Sequence, residues 1–242
     1  MQTAKGLSND KLKIIAAAAM LVDHIGAYLL PQYIFLRIVG RIAFPIFAFM
    51  IAEGCHYTKN KKKYLFNMFL LAVICQGLFY PFKPPGYMRI PVTFLISIVV
   101  IYVMQYTMVK VYGKCSIAEK AVSVIILLFT VLAIAYLNDI LSIDYGFYGC
   151  MTPAIVSAVY WFPGMPEKDK SYDTLYRKLG MLMLALWFVY KEYGGVQIYS
   201  FAAIPLLAVY NGKRGNMVPK YFFYIFYPLH LAVIYAIKYM VN

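Results

Sequence analysis

Apolar residues occur along this chain in long runs that are separated by short polar loops. Most runs are close to the roughly 20 residues that an α-helix needs to cross a bilayer core. Nine such runs are present, at about 12–30, 33–52, 64–80, 91–109, 121–138, 145–162, 176–190, 196–210 and 221–239. No stretch between them is long enough to fold separately. The pattern therefore predicts an all-α integral membrane protein with about nine transmembrane helices in a single domain, 1–242.

Composition and charge support this prediction. Hydrophobic residues make up 63% of the chain and charged residues only 14%, whereas soluble domains average about 25% charged. The net charge of +13 would suggest nucleic-acid binding in a soluble protein, but here the basic residues fall mainly at alternate helix ends. By the positive-inside rule this asymmetry predicts an N-in, C-out topology, a lipid bilayer as partner and no nucleic acid.

Asp23 and His24 interrupt the first apolar run. A carboxylate at mid-helix costs about 2.5–3.5 kcal/mol on the insertion scale, and such residues usually face a protein interior or a wet cavity. His24 lies roughly 18 Å from the start of the run at 1.5 Å per residue. Adjacent helical residues point in different directions, so each should find its partner on another helix. A functional pair is favoured, and a histidine that only packs against a neighbouring helix is the alternative.

Arg37 and Arg41 share one face of the second predicted helix. Two guanidinium groups on one face require an anion, and Asp23 is the natural candidate. The second arginine could then hold a substrate group or developing negative charge. Alternatively, Arg37 extends to the outer interface and only Arg41 is buried. Pro45 removes a hydrogen bond to the Arg41 carbonyl, which predicts a bend at this point.

His230 lies in the last apolar run, two residues after Pro228. It is roughly 14 Å into that run, a depth similar to that of His24. A proline beside a mid-helix histidine is typical of a broken helix that lines a cavity, although packing is an equal alternative. The four cysteines form no CxxC pair, and no histidine stands at metal-ligand spacing, so we expect no metal.

Five sequence blocks together resemble the TraX family, which is known for acetylating the N-terminus of F-type conjugative pilin. The blocks lie between about residues 7 and 233. They are Leu12-Lys13-Ile14-Ile15 with Met20-Leu21-Val22-Asp23-His24-Ile25-Gly26, then Arg37-Ile38-Val39-Gly40-Arg41 through Phe49 with Ala52-Glu53-Gly54, then Asp144-Tyr145-Gly146, then Asn211-Gly212-Lys213-Arg214-Gly215, and last Phe222 through Leu231.

The resemblance implies membership of a wider superfamily of membrane acyltransferases, in which a mid-membrane histidine lies near an acyl-CoA tunnel open to the cytoplasm. We accordingly expect an acetyltransferase of the bacterial cytoplasmic membrane that uses acetyl-CoA as cosubstrate and an amine or hydroxyl acceptor. His24 would be a general base or a transient acyl carrier, surrounded by Asp23, Arg37 and Arg41. Basic residues near the cytoplasm would hold the phosphates of the cosubstrate, with Lys59, Lys61, Lys62, Lys63, Lys213 and Arg214 as the expected contacts. Within the last helix, His230 is a further expected contact with the cosubstrate.

Two other functions use the same residues. A small proton-coupled membrane transporter could use Asp23, His24 and Arg41 as a relay, although the inverted repeats common in transporters are not evident. A non-catalytic assembly factor for a surface apparatus would tolerate substitutions in the polar cluster. Neither the acceptor nor the side from which it approaches follows from the sequence.

Overall fold

A computed structural model describes residues 6–79, 86–161, 172–219 and 221–241. These residues are almost entirely helical, as predicted. Two short 3-10 helices, Val159–Trp161 and Gly195–Ala202, accompany the α-helices. The α-helices are α1 (Asn9–Tyr28), α2 (Ile34–Gly40), α3 (Ala43–Tyr57), α4 (Lys61–Phe79), α5 (Ile90–Tyr112), α6 (Ile117–Ile140), α7 (Gly146–Ala158), α8 (Tyr172–Tyr193), α9 (Ala203–Ala208) and α10 (Phe222–Val241).

The chain divides into two compact units. Unit 1 comprises Met1–Met50 and Lys168–Asn242, and unit 2 comprises Ile51–Glu167. Unit 1 thus brings together the two ends of the sequence, and α1 packs there against both α2 and α10. The expectation of a single domain over 1–242 stays a prediction.

Several helices are suited to a membrane. Among the described residues, five helices are long and apolar enough to cross one: Ile34–Tyr57, Lys61–Phe79, Ile90–Tyr112, Ile117–Ile140 and Phe222–Met240. In α6 large apolar side chains are exposed, including Phe129 at 71% and Leu132 at 67%. Soluble monomers rarely expose such a surface. The chain is therefore a multi-pass membrane protein, while the predicted nine spans and the N-in orientation stay predictions.

At the bend predicted near Pro45, the apolar segment Ile34–Tyr57 is interrupted by a two-residue turn. α2 ends at Gly40 and α3 begins at Ala43, with Arg41 and Ile42 forming the turn. Pro45 cannot donate to the Arg41 carbonyl, so the regular helical hydrogen bonding is interrupted at this point. The run predicted at 145–162 is also interrupted, since α7 ends at Ala158 and a 3-10 turn follows. The run at 196–210 is a 3-10 helix followed by the short α9.

Unit 2 contains a feature that the hydrophobic pattern does not predict. Strands β1 (Tyr87–Met88) and β2 (Ser142–Ile143) pair in parallel. The chain then turns through two consecutive left-handed residues, Tyr145 at φ 61° and Gly146 at φ 57°. A tyrosine rarely adopts positive φ. The second residue of this turn, Gly146, is also the first residue of α7.

Candidate functional site

The site is built where α1 and α2 approach closely. Two glycines allow the approach. A methyl group on Gly26 would lie 2.7 Å from Cβ of Leu36, and one on Gly40 would lie 2.6 Å from Cγ of Asp23. Both separations are too short for a side chain, so only glycine fits. The polar residues of the two helices are therefore held within direct hydrogen-bonding distance.

Asp23 forms ion pairs with both arginines of α2 and the following turn. Arg37 Nη1 donates to Oδ2 of Asp23 at 2.6 Å and to the Asp23 backbone carbonyl at 3.0 Å. Arg41 Nη2 donates to the other carboxylate oxygen, Oδ1. The predicted pairing is confirmed, and Asp23 engages both arginines rather than one. The expected role of the second arginine toward a substrate group or a developing negative charge stays a prediction. Arg37 does not extend away from the cluster.

Arg41 is the more buried arginine and is held on three sides. Its side chain is 10% exposed, against 29% for Arg37. Arg41 Nε donates to the Arg37 backbone carbonyl at 3.1 Å, and Nη1 donates to Oε1 of Gln197 at 3.1 Å. We name Asp23, Arg37, Arg41 and Gln197 the arginine cluster. Two guanidinium groups and one carboxylate give these four side chains one net positive charge.

His24 faces a different partner, His230 on α10. Nδ1 of His24 lies 2.7 Å from Nε2 of His230. The two ring planes are within 7° of parallel, and their centroids are 5.0 Å apart. That separation equals the N···N distance plus one ring radius on each side, so the rings lie end to end in nearly one plane. Their nitrogen lone pair and N–H therefore point at each other along the line that a strong hydrogen bond prefers.

The backbone fixes the direction of this hydrogen bond. Nδ1 of His230 lies 2.9 Å from the carbonyl oxygen of Phe226, and a carbonyl can only accept, so Nδ1 of His230 carries a proton. In a neutral imidazole the other nitrogen, Nε2, is then an acceptor. Nδ1 of His24 must consequently donate to it. When both rings are neutral, the lone pair of His24 is on Nε2.

Aromatic side chains surround the histidine pair. The ring of Tyr28 lies 5.9 Å from that of His24, and it packs at 5.0 Å against Tyr235 of α10. The ring of Tyr227 is nearly perpendicular to both histidine rings, with centroids 6.5 Å from His24 and 5.4 Å from His230. Phe226 lies nearly parallel to His230 with centroids 5.0 Å apart. His230 is 5% exposed, and His24 is half-buried.

The basic residues predicted to hold a cosubstrate lie in two places. In unit 1, Lys213 and Arg214 have exposed side chains. Their backbone carbonyls accept hydrogen bonds from the first amides of α1, with Asn9 N 2.9 Å from the Lys213 oxygen and Asp10 N 3.2 Å from the Arg214 oxygen. In unit 2, four exposed lysines flank the start of α4: Lys59, Lys61, Lys62 and Lys63. Of these, Lys61 donates to Gln105 at 2.5 Å. His230 contacts His24, and its expected contact with the cosubstrate stays a prediction.

Two features were not predicted from the sequence. Gln197 completes the arginine cluster, and its only signal was a polar residue within an apolar run. In unit 2, Tyr160 donates to Oε1 of Glu53 at 2.5 Å, and His56 stacks on Tyr160 at 3.5 Å between centroids. Glu53 is 4% exposed. In the sequence, the only indication of this contact was the carboxylate of Glu53 at the end of an apolar run.

These features define a multi-pass helical membrane protein with a buried polar site between its first, second and last α-helices. Comparison with known proteins identifies the family. The family model described as "TraX protein" matches residues 8–238 of this chain. The chain therefore belongs to the TraX family.

Two curated relatives are similar to this chain. The "Probable fimbrial assembly protein FimC, serogroup H1" of Dichelobacter nodosus is 27% identical over 239 residues, covering 94% of each chain. The "Uncharacterized protein RP591" of Rickettsia prowazekii is 40% identical over 73 residues, which are 30% of this chain and 29% of that protein. No solved structure gives a significant match.

Proposed function

We propose that this protein is an acetyltransferase of the bacterial cytoplasmic membrane that moves an acetyl group from cytoplasmic acetyl-CoA to an amine or hydroxyl acceptor. The favoured acceptor is the N-terminus of a pilin or fimbrial subunit, and another envelope-associated molecule is the alternative. Membership of the TraX family and the name of the FimC relative support this choice. The observation that carries it is the His24–His230 pair, which provides a basic nitrogen within an apolar helix bundle.

In the proposed step His24 acts as a general base. It takes a proton from the acceptor N–H or O–H while the acceptor atom attacks the thioester carbonyl of acetyl-CoA. The new C–N or C–O bond forms as the C–S bond breaks, and the CoA thiolate leaves. The thiolate then receives the proton from His24, so the histidine returns to its neutral state. Transfer through an acetylated His24 is the other route, with the same overall balance.

The arginine cluster suits the charge that this step develops. The tetrahedral intermediate places a negative charge on the former carbonyl oxygen, and preorganised positive groups stabilise such an oxyanion. Arg37 and Arg41 carry two positive charges against the single carboxylate of Asp23. The surplus charge supports a role for the cluster near the reacting carbonyl. Asp23, in turn, would hold both arginines in place.

The cosubstrate would be attracted by exposed cations. Lys213 and Arg214 are attached to the start of α1 through their backbone, which leaves the side chains available for CoA phosphates. Lys59, Lys61, Lys62 and Lys63 are exposed as well. The thin pantetheine arm could carry the thioester into the helices while the phosphates stay in water.

The test is to incubate the purified protein with carbon-13-labelled acetyl-CoA and a membrane extract, and to identify labelled products by mass spectrometry. Wild type should label a defined acceptor, and His24→Ala should abolish labelling while the protein still inserts and folds. His56→Ala is the matched control, because His56 packs on Tyr160 within unit 2 and is part of neither the histidine pair nor the arginine cluster. Near-normal labelling by His24→Ala would refute the proposed mechanism.

A second candidate is a fimbrial assembly factor without transferase chemistry, which the name of the FimC relative favours. It predicts that wild-type cells label no acceptor and that His24→Ala cells still assemble fimbriae. The proposed acetyltransferase predicts a labelled acceptor in wild-type cells and the loss of that labelling in His24→Ala cells.

A further inference from the structure

We infer that His230 is a positioning residue that holds His24 in the Nδ1–H tautomer and thereby makes Nε2 of His24 the reactive nitrogen. This inference rests on the proposed function for its chemical meaning. It gives His230 a role different from the expected contact with acetyl-CoA. Neither the position of His24 in the sequence nor its neighbour Asp23 indicates which nitrogen reacts.

The inference depends on a chain of three groups with one allowed order of protons. The Phe226 carbonyl requires a proton on Nδ1 of His230, 2.9 Å away. Nε2 of His230 then accepts, and Nδ1 of His24, 2.7 Å away, donates. Each link is set by the one before it, and the first is a backbone carbonyl that cannot change its role. The end-to-end alignment of the two rings also restrains rotation of the His24 ring.

The location of these groups supports a positioning role over ligand binding. His230 is 5% exposed, and both of its ring nitrogens are engaged by protein groups. His24 is half-buried. The pair therefore has an inner member that orients and an outer member that reacts. A hydrogen bond to one ring nitrogen is what sets the tautomer and so the role of the other nitrogen.

Asp23 does not perform this orientation, although it is adjacent to His24. Its two carboxylate oxygens bind Arg37 and Arg41. The histidine is thus oriented by a neutral ring and not by a carboxylate. In an apolar environment this avoids a second buried charge, which would be costly to desolvate.

The first test is nitrogen-15 NMR of histidine-labelled protein in detergent. The chain has only three histidines, and His56→Gln and His230→Gln would assign the signals. Imidazole nitrogen shifts distinguish the two tautomers. In wild-type protein at a pH where the rings are neutral, we expect both His24 and His230 to carry the proton on Nδ1. A proton on Nε2 of His24 would overturn the inference.

The second test compares His230→Gln with His230→Leu. The glutamine amide oxygen can take the place of Nε2 as an acceptor, whereas leucine cannot accept. His230→Leu should lower kcat by about 100-fold, the lower end of a general-base contribution, with little change in the KM for acetyl-CoA. His230→Gln should restore most of kcat and the Nδ1–H state of His24. A raised KM with unchanged kcat in His230→Leu would overturn the inference in favour of cosubstrate binding.

The two tests separate this inference from the proposed function. If wild type transfers no acetyl group, the proposed function fails, but the tautomer measured by NMR still confirms or refutes the orientation of His24. If wild type is active and His24 carries its proton on Nε2, the inference fails alone. Should His230→Leu not fold, the wild-type tautomer and the His230→Gln variant still decide the outcome.

Discussion

Two neighbouring residues of α1 take part in two unlike networks. Asp23 lies in the arginine cluster, where every group is charged or strongly polar and each carboxylate oxygen has a guanidinium partner. His24 lies in a hydrogen-bonded pair with His230, lined by aromatic rings. In the first network both carboxylate oxygens of Asp23 are engaged by arginine. In the second network, Nε2 of His24 is the acceptor nitrogen when both rings are neutral. The difference favours proton transfer by the histidine pair, while the arginine cluster supplies fixed charge and holds α1 and α2 together.

The largest expected effect on stability comes from Asp23→Asn. This change removes the shared anion and leaves two buried or half-buried guanidinium groups facing each other. Loss of one partner of a buried ion pair typically costs about 3–5 kcal/mol. The free energy of unfolding, measured in detergent by denaturant titration, should fall by this order. Asp139→Asn is the control, because Asp139 is exposed on α6. An equal loss in both variants would contradict a structural role for the cluster.

Gly40→Ala should have a smaller but still clear effect. Its methyl group would overlap the Asp23 side chain, so α1 and α2 must separate, and overpacking of this kind costs about 1–3 kcal/mol. The control is Gly180→Ala in α8, where an added methyl group meets nothing within 4 Å. That control should be neutral or stabilising, since alanine favours a helix by up to about 1 kcal/mol. Unfolding curves of the two variants that coincide would show that the close approach is not needed.

Gln197→Leu should produce the smallest loss. It removes one of several acceptors around Arg41, which keeps its bonds to Asp23 and to the Arg37 carbonyl. We expect a decrease of about 1 kcal/mol in the free energy of unfolding. Gln197→Glu retains an acceptor and adds a carboxylate to a cluster with surplus positive charge, so it should be at least as stable as wild type. A glutamate variant less stable than the leucine variant would contradict a positive surplus in the arginine cluster.

The sequence predicted the helical class and the pairing of Asp23 with arginine, because these follow from apolar run length and from the cost of an isolated charge. The similar depth of His24 and His230 in the membrane stays a prediction. The sequence could not show that both arginines share one carboxylate, since that depends on the close approach that Gly26 and Gly40 permit. It also could not assign Gln197 to Arg41, because a 3-10 helix far along the chain supplies it.

The partner of His24 shows the same limit. Equal depth in α1 and α10 made contact with His230 plausible, but the roles of the ring nitrogens depend on the Phe226 carbonyl, which no residue pattern reveals. The number of membrane-spanning helices could not be read from the sequence pattern for a similar reason. α7 ends at Ala158 and is followed by a 3-10 turn, and the segment 195–208 begins as a 3-10 helix, so apolar run length alone does not define a spanning α-helix there.

The most direct measurement of the central claim combines two readings on the same purified His24→Ala sample. One is the initial rate of acetyl transfer from labelled acetyl-CoA, and the other is the unfolding midpoint in detergent. If the histidine pair transfers the proton while the arginine cluster supplies fixed charge and holds α1 and α2 together, acetyl transfer is lost and the midpoint stays near that of wild type. Transfer at a near-normal rate by a folded His24→Ala protein would contradict the account.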